Sequence, residues 1–498
     1  MPRTSLTALS AVKLRRLIGA KQISPVELLE DCIERIEAID PGINAIVARP
    51  FRRAREEAKR AEAAVLRGDE LGRLHGLPIG IKDLQDTEGV LTTNGSPLFR
   101  NNVPTRDTVQ VGLVRAAGAI VTAKTNVPEF GAGANSRNPV WGATGNPFNP
   151  SLNAGGSSGG SAAALAVDML PICTGSDTGG SLRIPAALCG VVGFRPSPGL
   201  VPMEARKLGW TTISVLGPMG RNVPDTRLLF AAQLGLDRRD PLSLYLDPDR
   251  AMTGRPVDLG RLRVAWTADF GGAPVSTEIR KLMHRRMGEM RHLFRSLDEV
   301  EFDYGGADRC FDVIRGTSYV AGYKESYERD GDLLAPNVRA NYDIAKVMTL
   351  EDVAWAHVEQ TRLFRRFQDT YEDYDLVLAP TTPVSPFPWS ELYLETLEGR
   401  KLSNYYHWLA HTYFITLMSN PAISIPCGVD PQGMPFGLQV VGRYRGDFEL
   451  LDAAEAMEQA FRMVPELARP LPDLESLTTP RPDLKSIVTA APDPGLAY

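Results

Sequence analysis

Gly155-Gly156-Ser157-Ser158-Gly159-Gly160-Ser161-Ala162-Ala163 and Gly175-Ser176-Asp177-Thr178-Gly179-Gly180-Ser181-Leu182-Arg183 are the two stretches from which this chain is best read. Each is a glycine-rich turn set among short apolar segments. The first opens into an alanine-rich helix over Ala162–Val167. Upstream, Leu77–Ile81 reads as a buried strand that ends at Lys82, residues 108–117 as a helix, and Ala119–Lys124 as the next strand. Buried strands alternating with glycine turns and helices place the chain in the α/β class.

The same stretches carry chemistry. Glycine lets successive backbone N–H groups point into one small space, and an oxyanion needs such convergent donors as its charge develops. Thr178-Gly179-Gly180-Ser181 offers four donors in a row. A serine at the end of the run can attack a carbonyl held there, provided that a base takes its proton. None of the six histidines (His75, His284, His292, His357, His407, His411) stands in either cluster or between them. Lys82 ends an apolar strand between Gly80 and Asp83, where burial lowers a lysine pKa towards that of a working base. Asp177 and Arg183 flank the second cluster and are expected to pair and hold the loop rather than to react.

Other readings compete. Gly155-Gly156-Ser157-Ser158-Gly159 also fits the G-x-S-x-G nucleophile elbow, with Ser157 attacking and His407 or His411 as base. That reading leaves the second cluster unused. A phosphate cradle is disfavoured because neither the Walker lysine pattern nor a strand-borne G-x-G-x-x-G is present. Ser10-Ala11-Val12-Lys13 matches S-x-x-K, but no Lys-Thr-Gly triplet accompanies it, and a serine N-cap on an amphipathic helix accounts for it.

Composition narrows the class. Of the residues, 43% are hydrophobic, enough for a substantial core, and 55 basic against 60 acidic residues give a net charge of −5. The charges are well mixed, which argues against a nucleic-acid partner. No run of 18 apolar residues occurs, so no membrane span is expected. Met1-Pro2-Arg3-Thr4-Ser5-Leu6 lacks the apolar segment of a secretory leader. The five cysteines (Cys32, Cys173, Cys189, Cys310, Cys427) are scattered, with no Cys-x-x-Cys and no metal-ligand spacing. Reduced, buried thiols in a cytoplasmic protein are the expectation.

Residues 10–67 read as helical. Ser24-Pro25-Val26-Glu27 is a capping box with proline at the first helical position, and Ile23 and Leu28 fall where a hydrophobic staple would close over it. A charged second helix runs from about Arg52 to Arg67 and stops at Gly68. Further on, strands are expected at Leu262–Trp266, Asp375–Pro380, Ala422–Pro426 and Gly437–Val441, with helices at about Thr277–Leu297 and Leu350–Tyr371. After Arg469 the chain is rich in proline and polar residues, and a disordered or loosely draped tail is expected.

Taken jointly, Lys82, Gly155–Ala163 and Gly175–Pro185 resemble the amidase signature family. Leu74-His75-Gly76-Leu77-Pro78, Lys124-Thr125-Asn126, Gly190–Pro196, Gly217-Pro218-Met219 and Gly437-Leu438-Gln439 fit as well. The match is strongest over residues 70–220 and near 420–443, and weak from 240 to 400. The resemblance implies a large mixed β-sheet surrounded by helices, with no metal and no organic cofactor. It implies a Ser-Ser-Lys triad: Ser181 as the nucleophile, Ser157 as a bridging serine after a cis peptide bond from Gly156, and Lys82 as the base. Thr178, Gly179, Gly180 and Ser181 would supply the oxyanion hole, with Ser158, Asp177 and Arg183 in support. The organisation it implies is an N-terminal helical segment over 1–68 and a catalytic domain over 69–470. Within that domain the signature core spans about 70–220 and a variable substrate-pocket region about 240–420. A tail over 471–498 follows.

The reaction implied is hydrolysis of a carboxylic amide, with a small-molecule amide as partner. One relative, the glutaminase subunit of the tRNA-dependent amidotransferase, usually carries a Lys-Pro-Thr-Tyr-Gly-type stretch after the second cluster. Here Phe194-Arg195-Pro196-Ser197-Pro198-Gly199-Leu200 stands there, a departure that favours a stand-alone amidase. The aromatic stretch Asn404–Phe414 reads either as the wall of a pocket for an apolar or aryl acyl group or as a buried amphipathic helix, and Trp210 and Tyr319 are weaker pocket candidates. From size and class a homodimer is the expectation.

Overall fold

A computed structural model describes residues 5–497; Met1–Thr4, on which part of the leader reading rests, and Tyr498 lie outside it. Its centre is one mixed sheet of eleven strands. In chain order these are β1 (Ile46–Ala48), β2 (Pro78–Lys82), β3 (Ile120–Thr125), β4 (Ile172–Asp177), β5 (Val192–Arg195) and β6 (Val215–Gly220). They are followed by β7 (Arg263–Trp266), β8 (Ser296–Glu299), β9 (Leu376–Pro380), β10 (Ala422–Val429) and β11 (Pro435–Val441). The spatial order is β1-β3-β2-β4-β6-β5-β10-β11-β9-β7-β8. β3, β2 and β4 run parallel, as do β9, β7 and β8, and the strands between these groups pair antiparallel. The large mixed sheet wrapped by helices is thus the architecture expected.

Both faces of the sheet are covered, as the alternation of side chains along single strands requires. Ile172 packs among the helices Ala11–Gly19 and Val223–Gln233, whereas its neighbour Cys173 packs against the helix Gly159–Ala166. Val264 and Trp266 join the core under the helices Thr277–Met290 and Asp447–Phe461, whereas Ala265 faces the helices Ala307–Asp330 and Ala410–Met418. The inner strands are buried along nearly their whole length, while the edge strand β8 shelters only Leu297.

The helix Pro25–Ile43 begins at the expected capping box on Ser24 and Glu27. The stretch read as wholly helical contains β1, entered through Asn44 in the left-handed conformation (φ 53°) while Asp40 accepts from the N–H groups of Ala45 and Ile46. The helix expected over Thr277–Leu297 ends at Met290, and β8 follows. With a single fully sheltered apolar side chain, Leu297, this edge strand is too short to register as a periodic pattern. The helices Ala307–Asp330 and Pro336–Ala345 went unread, and both flank the site described below. The first glycine cluster passes directly into the helix Gly159–Ala166. Only glycine fits at 160, where a Cβ would lie 2.2 Å from the backbone nitrogen of Asn126.

All five cysteines are free and buried, and no helix of the described residues is long and apolar enough to cross a membrane. The proline-rich tail is pinned rather than loose. Leu477 and Leu484 are fully buried, Arg481 N–H donates to the Pro41 carbonyl, and Arg49 N–H donates to that of Ala497. Two leucines spaced among polar residues were enough to anchor a segment whose composition reads as disordered. Burying such a side chain stabilises by about 1.5–3 kcal/mol, so Leu477→Ala with Leu484→Ala is expected to cost about 3 kcal/mol or more. The double variant should show this as a lowered urea midpoint, and an unchanged midpoint would mean that the tail docks without contributing.

Candidate active site

β2 and β4 are adjacent and parallel, so Lys82 and Asp177 emerge at the same edge of the sheet. Carboxyl ends of parallel strands are where α/β proteins gather their functional groups. The loop leading to the helix Gly159–Ala166 brings Ser157 and Ser158 to that edge, and the loop after β4 brings Thr178–Ser181.

The Lys82 side chain is fully buried. Its Nζ donates to Ser157 Oγ at 2.7 Å, Ser158 Oγ at 2.8 Å and Ser176 Oγ at 2.9 Å, and it makes no ion pair among the described residues. Burial drives its pKa down to about 7, against an opposing pull from the Asp177 charge. Ser158 and Ser157 are themselves buried, and the Gly156–Ser157 peptide bond is cis.

Asp177 is committed elsewhere. It accepts from Arg183 Nε at 3.0 Å and Nη2 at 2.9 Å, and from Arg195 Nη1 at 3.1 Å, with all three side chains buried. Burial works against the carboxylate, but Arg183 and Arg195 outweigh it and hold its pKa well below the usual carboxylate range. Asp177 also accepts from the N–H of Gly180 at 2.8 Å. That donor is therefore turned towards the carboxylate, in contrast to the expectation that four successive donors face one oxygen. The N–H groups of Thr178, Gly179 and Ser181 have no acceptor among the described residues. Gly180 sits at φ 123°, and a Cβ there would strike Thr412 Oγ1 at 2.2 Å.

Ser157, Ser176, Thr178, Gly179 and Ser181 open onto a cavity of about 420 Å³. Ser181 Oγ is free of hydrogen bonds among the described residues, and the Ser157 and Ser181 hydroxyls do not bond to each other. Free enzymes often hold such contacts loose until substrate is bound. One wall of the cavity is aromatic, with Phe130, Phe311, Tyr319, Tyr323, Tyr405 and Tyr406, and another is formed by the segment that carries Met203, Arg206, Lys207 and Leu208. The stretch Asn404–Phe414 divides between cavity and core. Tyr405, Tyr406 and Leu409 line the cavity, while the helix Ala410–Met418 is buried throughout. Trp210 is 78% exposed and does not line it, whereas Tyr319 does.

Sequence reasoning missed Ser176 as a third partner of Lys82, and it missed the helix Ala307–Asp330. On that helix Phe311, Arg315, Tyr319 and Tyr323 recur every fourth residue and form one wall of the cavity. The spacing was visible, but the stripe mixes aromatic residues with an arginine and so lacks an apolar signature. The histidines considered as bases are placed elsewhere. His407 Nε2 lies 3.0 Å from Asp312 Oδ1, His411 Nε2 lies 2.8 Å from the Ala268 carbonyl, and neither contacts a serine hydroxyl. Burial pushes His411 down to about 4.

A sequence profile described as Amidase matches residues 27–451. The chain belongs to the amidase signature family. Its similarity to the acylamidase of Rhodococcus erythropolis is 32% identity over 471 residues, covering 92% of this chain and 96% of that one. It is also 32% identical over 473 residues to a glutamyl-tRNA(Gln) amidotransferase subunit of Acaryochloris marina, covering 90% and 97%. Among solved structures, a bacterial aryl acylamidase of the family superposes with a TM-score of 0.86 at 27% identity, covering 95% of this chain and 99% of the other. The family acts on amide bonds, and this chain is an amidohydrolase of that family.

Removing one partner from a buried ion cluster costs about 3–5 kcal/mol because the remaining charge is stranded. Asp177→Asn, which leaves Arg183 and Arg195 facing each other, is expected to lose that much in chemical denaturation. A loss under about 1 kcal/mol would show that the cluster is solvated.

Proposed function

We propose that the chain hydrolyses small carboxylic amides through an acyl-enzyme formed on Ser181. The observation that carries this is the state of Lys82: a buried lysine with three hydroxyl partners, no carboxylate in contact and a pKa brought down to about 7 by burial. A neutral amine in that position donates two hydrogen bonds and accepts a third, and Ser157 is the donor that its lone pair would take.

In this mechanism Ser181 Oγ bonds to the substrate carbonyl carbon. Its proton passes to Ser157 Oγ as the Ser157 proton passes to Lys82 Nζ. The carbonyl oxygen becomes an oxyanion that faces the free N–H groups of Thr178, Gly179 and Ser181. Collapse breaks the C–N bond, Ser157 gives its proton to the departing nitrogen, and Lys82 returns a proton to Ser157. Water then attacks the ester by the same relay, releasing the acid and restoring the Ser181 hydroxyl. Asp177, Arg183 and Arg195 hold the donor loop, and Ser158 and Ser176 hold the Lys82 amine.

The aromatic wall and the likeness to acylamidases support an apolar or aryl amide, anilide or carbamate as substrate. The equal identity to a tRNA-dependent amidotransferase component supports a second reading, in which the chain frees ammonia from glutamine beside a partner protein. Release of ammonia from glutamine only when a partner is added, with anilides untouched, would favour it.

A serine-directed fluorophosphonate is expected to label Ser181, and Ser181→Ala should abolish both labelling and turnover. Lys82→Ala should lower kcat by about 10²–10⁴-fold, the usual worth of a general base. Label on Ser157 instead would reverse the roles of the two serines. Protonated Lys82 cannot accept a proton, so kcat/KM for a neutral anilide should be low in acid, rise with a midpoint near pH 7 and then level off. A rate that stays constant from acid to alkaline pH across that midpoint would remove Lys82 as the base.

A further inference from the structure

The cavity holds a buried cation that the mechanism above leaves unused. Arg315 is 7% exposed and lines the cavity beside Phe311 and Tyr319. Phe311 marks the reacting end, since a Cβ at Gly179 would come within 3.2 Å of its ring. Arg315 is one helical turn further along, about 6 Å by the helical rise.

Its surroundings are rich in donors and contain no counter-ion. Arg315 Nε donates to Asn341 Oδ1 at 2.9 Å, and Nη2 donates to Tyr319 Oη at 3.2 Å and Tyr405 Oη at 2.8 Å. Nη1 has no hydrogen-bond partner, and Arg315 is in no ion pair, among the described residues. Tyr405 Oη also accepts from Asn341 Nδ2 at 2.7 Å, so its own hydrogen remains to be donated. Asp312, on the same helix, is spent on Tyr406, His407 and Asn404. The guanidinium lies over the rings of Tyr319, Tyr406 and Phe311 at 5.0, 5.2 and 5.9 Å, which offsets part of the cost of its burial, but it cannot shed its proton and no carboxylate among the described residues neutralises it. What the cluster lacks is an anionic acceptor, and the side on which it opens is the cavity.

We infer that Arg315, with Tyr405, binds a carboxylate carried by the substrate a few bonds from its scissile amide, so that the chain prefers amides with an anionic end. A planar guanidinium suits a carboxylate through paired N–H···O bonds. The aromatic wall then holds the stem of the substrate and Arg315 its far end. This rests on the amide-hydrolase reading above.

The test compares matched pairs on the whole chain. On the acyl side, glutaric acid mono-p-nitroanilide is set against pentanoic acid p-nitroanilide. On the amine side, N-acetyl-p-aminobenzoate is set against acetanilide. The anionic member of one pair is expected to show kcat/KM about 10- to 100-fold above its neutral mate, the worth of a charge-assisted hydrogen bond. Arg315→Met should bring that ratio to about unity, and Arg315→Lys should restore part of it. A wild-type ratio at or below unity in both pairs would overturn the inference, as would a ratio unchanged in Arg315→Met. Because Arg315 also ties two helices together, the wild-type ratio stands as a test without any variant. If no anilide is turned over, the reading of the chain as an anilide hydrolase fails on its own. Calorimetry with glutarate then decides the site: binding weakened about tenfold or more by Arg315→Met sustains it, and absence of binding to the wild type overturns it.

Discussion

The removal of Lys82 from water without a counter-charge is the constraint that orders the rest of the site. A lysine amine is strongly hydrated, and burying it costs free energy unless it gives up its proton or finds partners. Here it finds three hydroxyls, at 2.7, 2.8 and 2.9 Å, which satisfy its geometry but bring no negative charge. A carboxylate in the same place would hold the proton on and leave an ammonium unable to accept another. The parallel pairing of β2 and β4, the glycine turn and the buried Ser157-Ser158 pair all serve to bring hydroxyls, and hydroxyls alone, to that amine.

Asp177 makes the point by contrast. It ends the strand next to Lys82 and its charge pulls the lysine pKa upward. Arg183 and Arg195 draw its oxygens away, and it contacts backbone N–H groups of its own loop instead of the amine. The carboxylate therefore shapes the loop after β4, and its hydrogen bonds go to Arg183, Arg195 and that loop rather than to Lys82. Gly180 loses its N–H to this arrangement, and Thr178, Gly179 and Ser181 keep theirs free at the cavity floor.

What could be read from the sequence follows from how local each signal is. Lys82, Ser157, Ser158 and the donor loop lie within short motifs at strand ends, and the sequence order of those motifs matches their convergence at one sheet edge. The capping box at Ser24 is equally local and stands as expected. Ser176 stood inside a motif already quoted, but its partnership with Lys82 arises only from the pairing of β2 with β4, which no local pattern encodes. β1 and β8 are too short, at three and four residues, for their alternation to stand out. The helix Ala307–Asp330 was missed for a different reason: eight of its residues are buried, yet its cavity-facing stripe carries Arg315 and tyrosines, so it lacks the clean apolar face that marks a core helix.

That last failure is informative about the molecule. A helix face turned to a packed core is apolar, and one turned to solvent is charged; a face that mixes buried aromatics with an unpaired arginine belongs to neither. Such a face is stable only if something completes it, or if the neighbouring hydroxyls offset the burial. The Tyr319, Tyr405 and Asn341 oxygens offset part, by accepting from Nε and Nη2, and leave Nη1 bare. The two ends of the cavity thus differ. At one end a buried amine meets hydroxyls and no counter-charge; on the helix Ala307–Asp330 a guanidinium that cannot lose its charge meets hydroxyls and aromatic faces and no carboxylate. A substrate that is neutral at the amide and anionic at its far end satisfies both ends at once, and a wholly neutral one satisfies only the first.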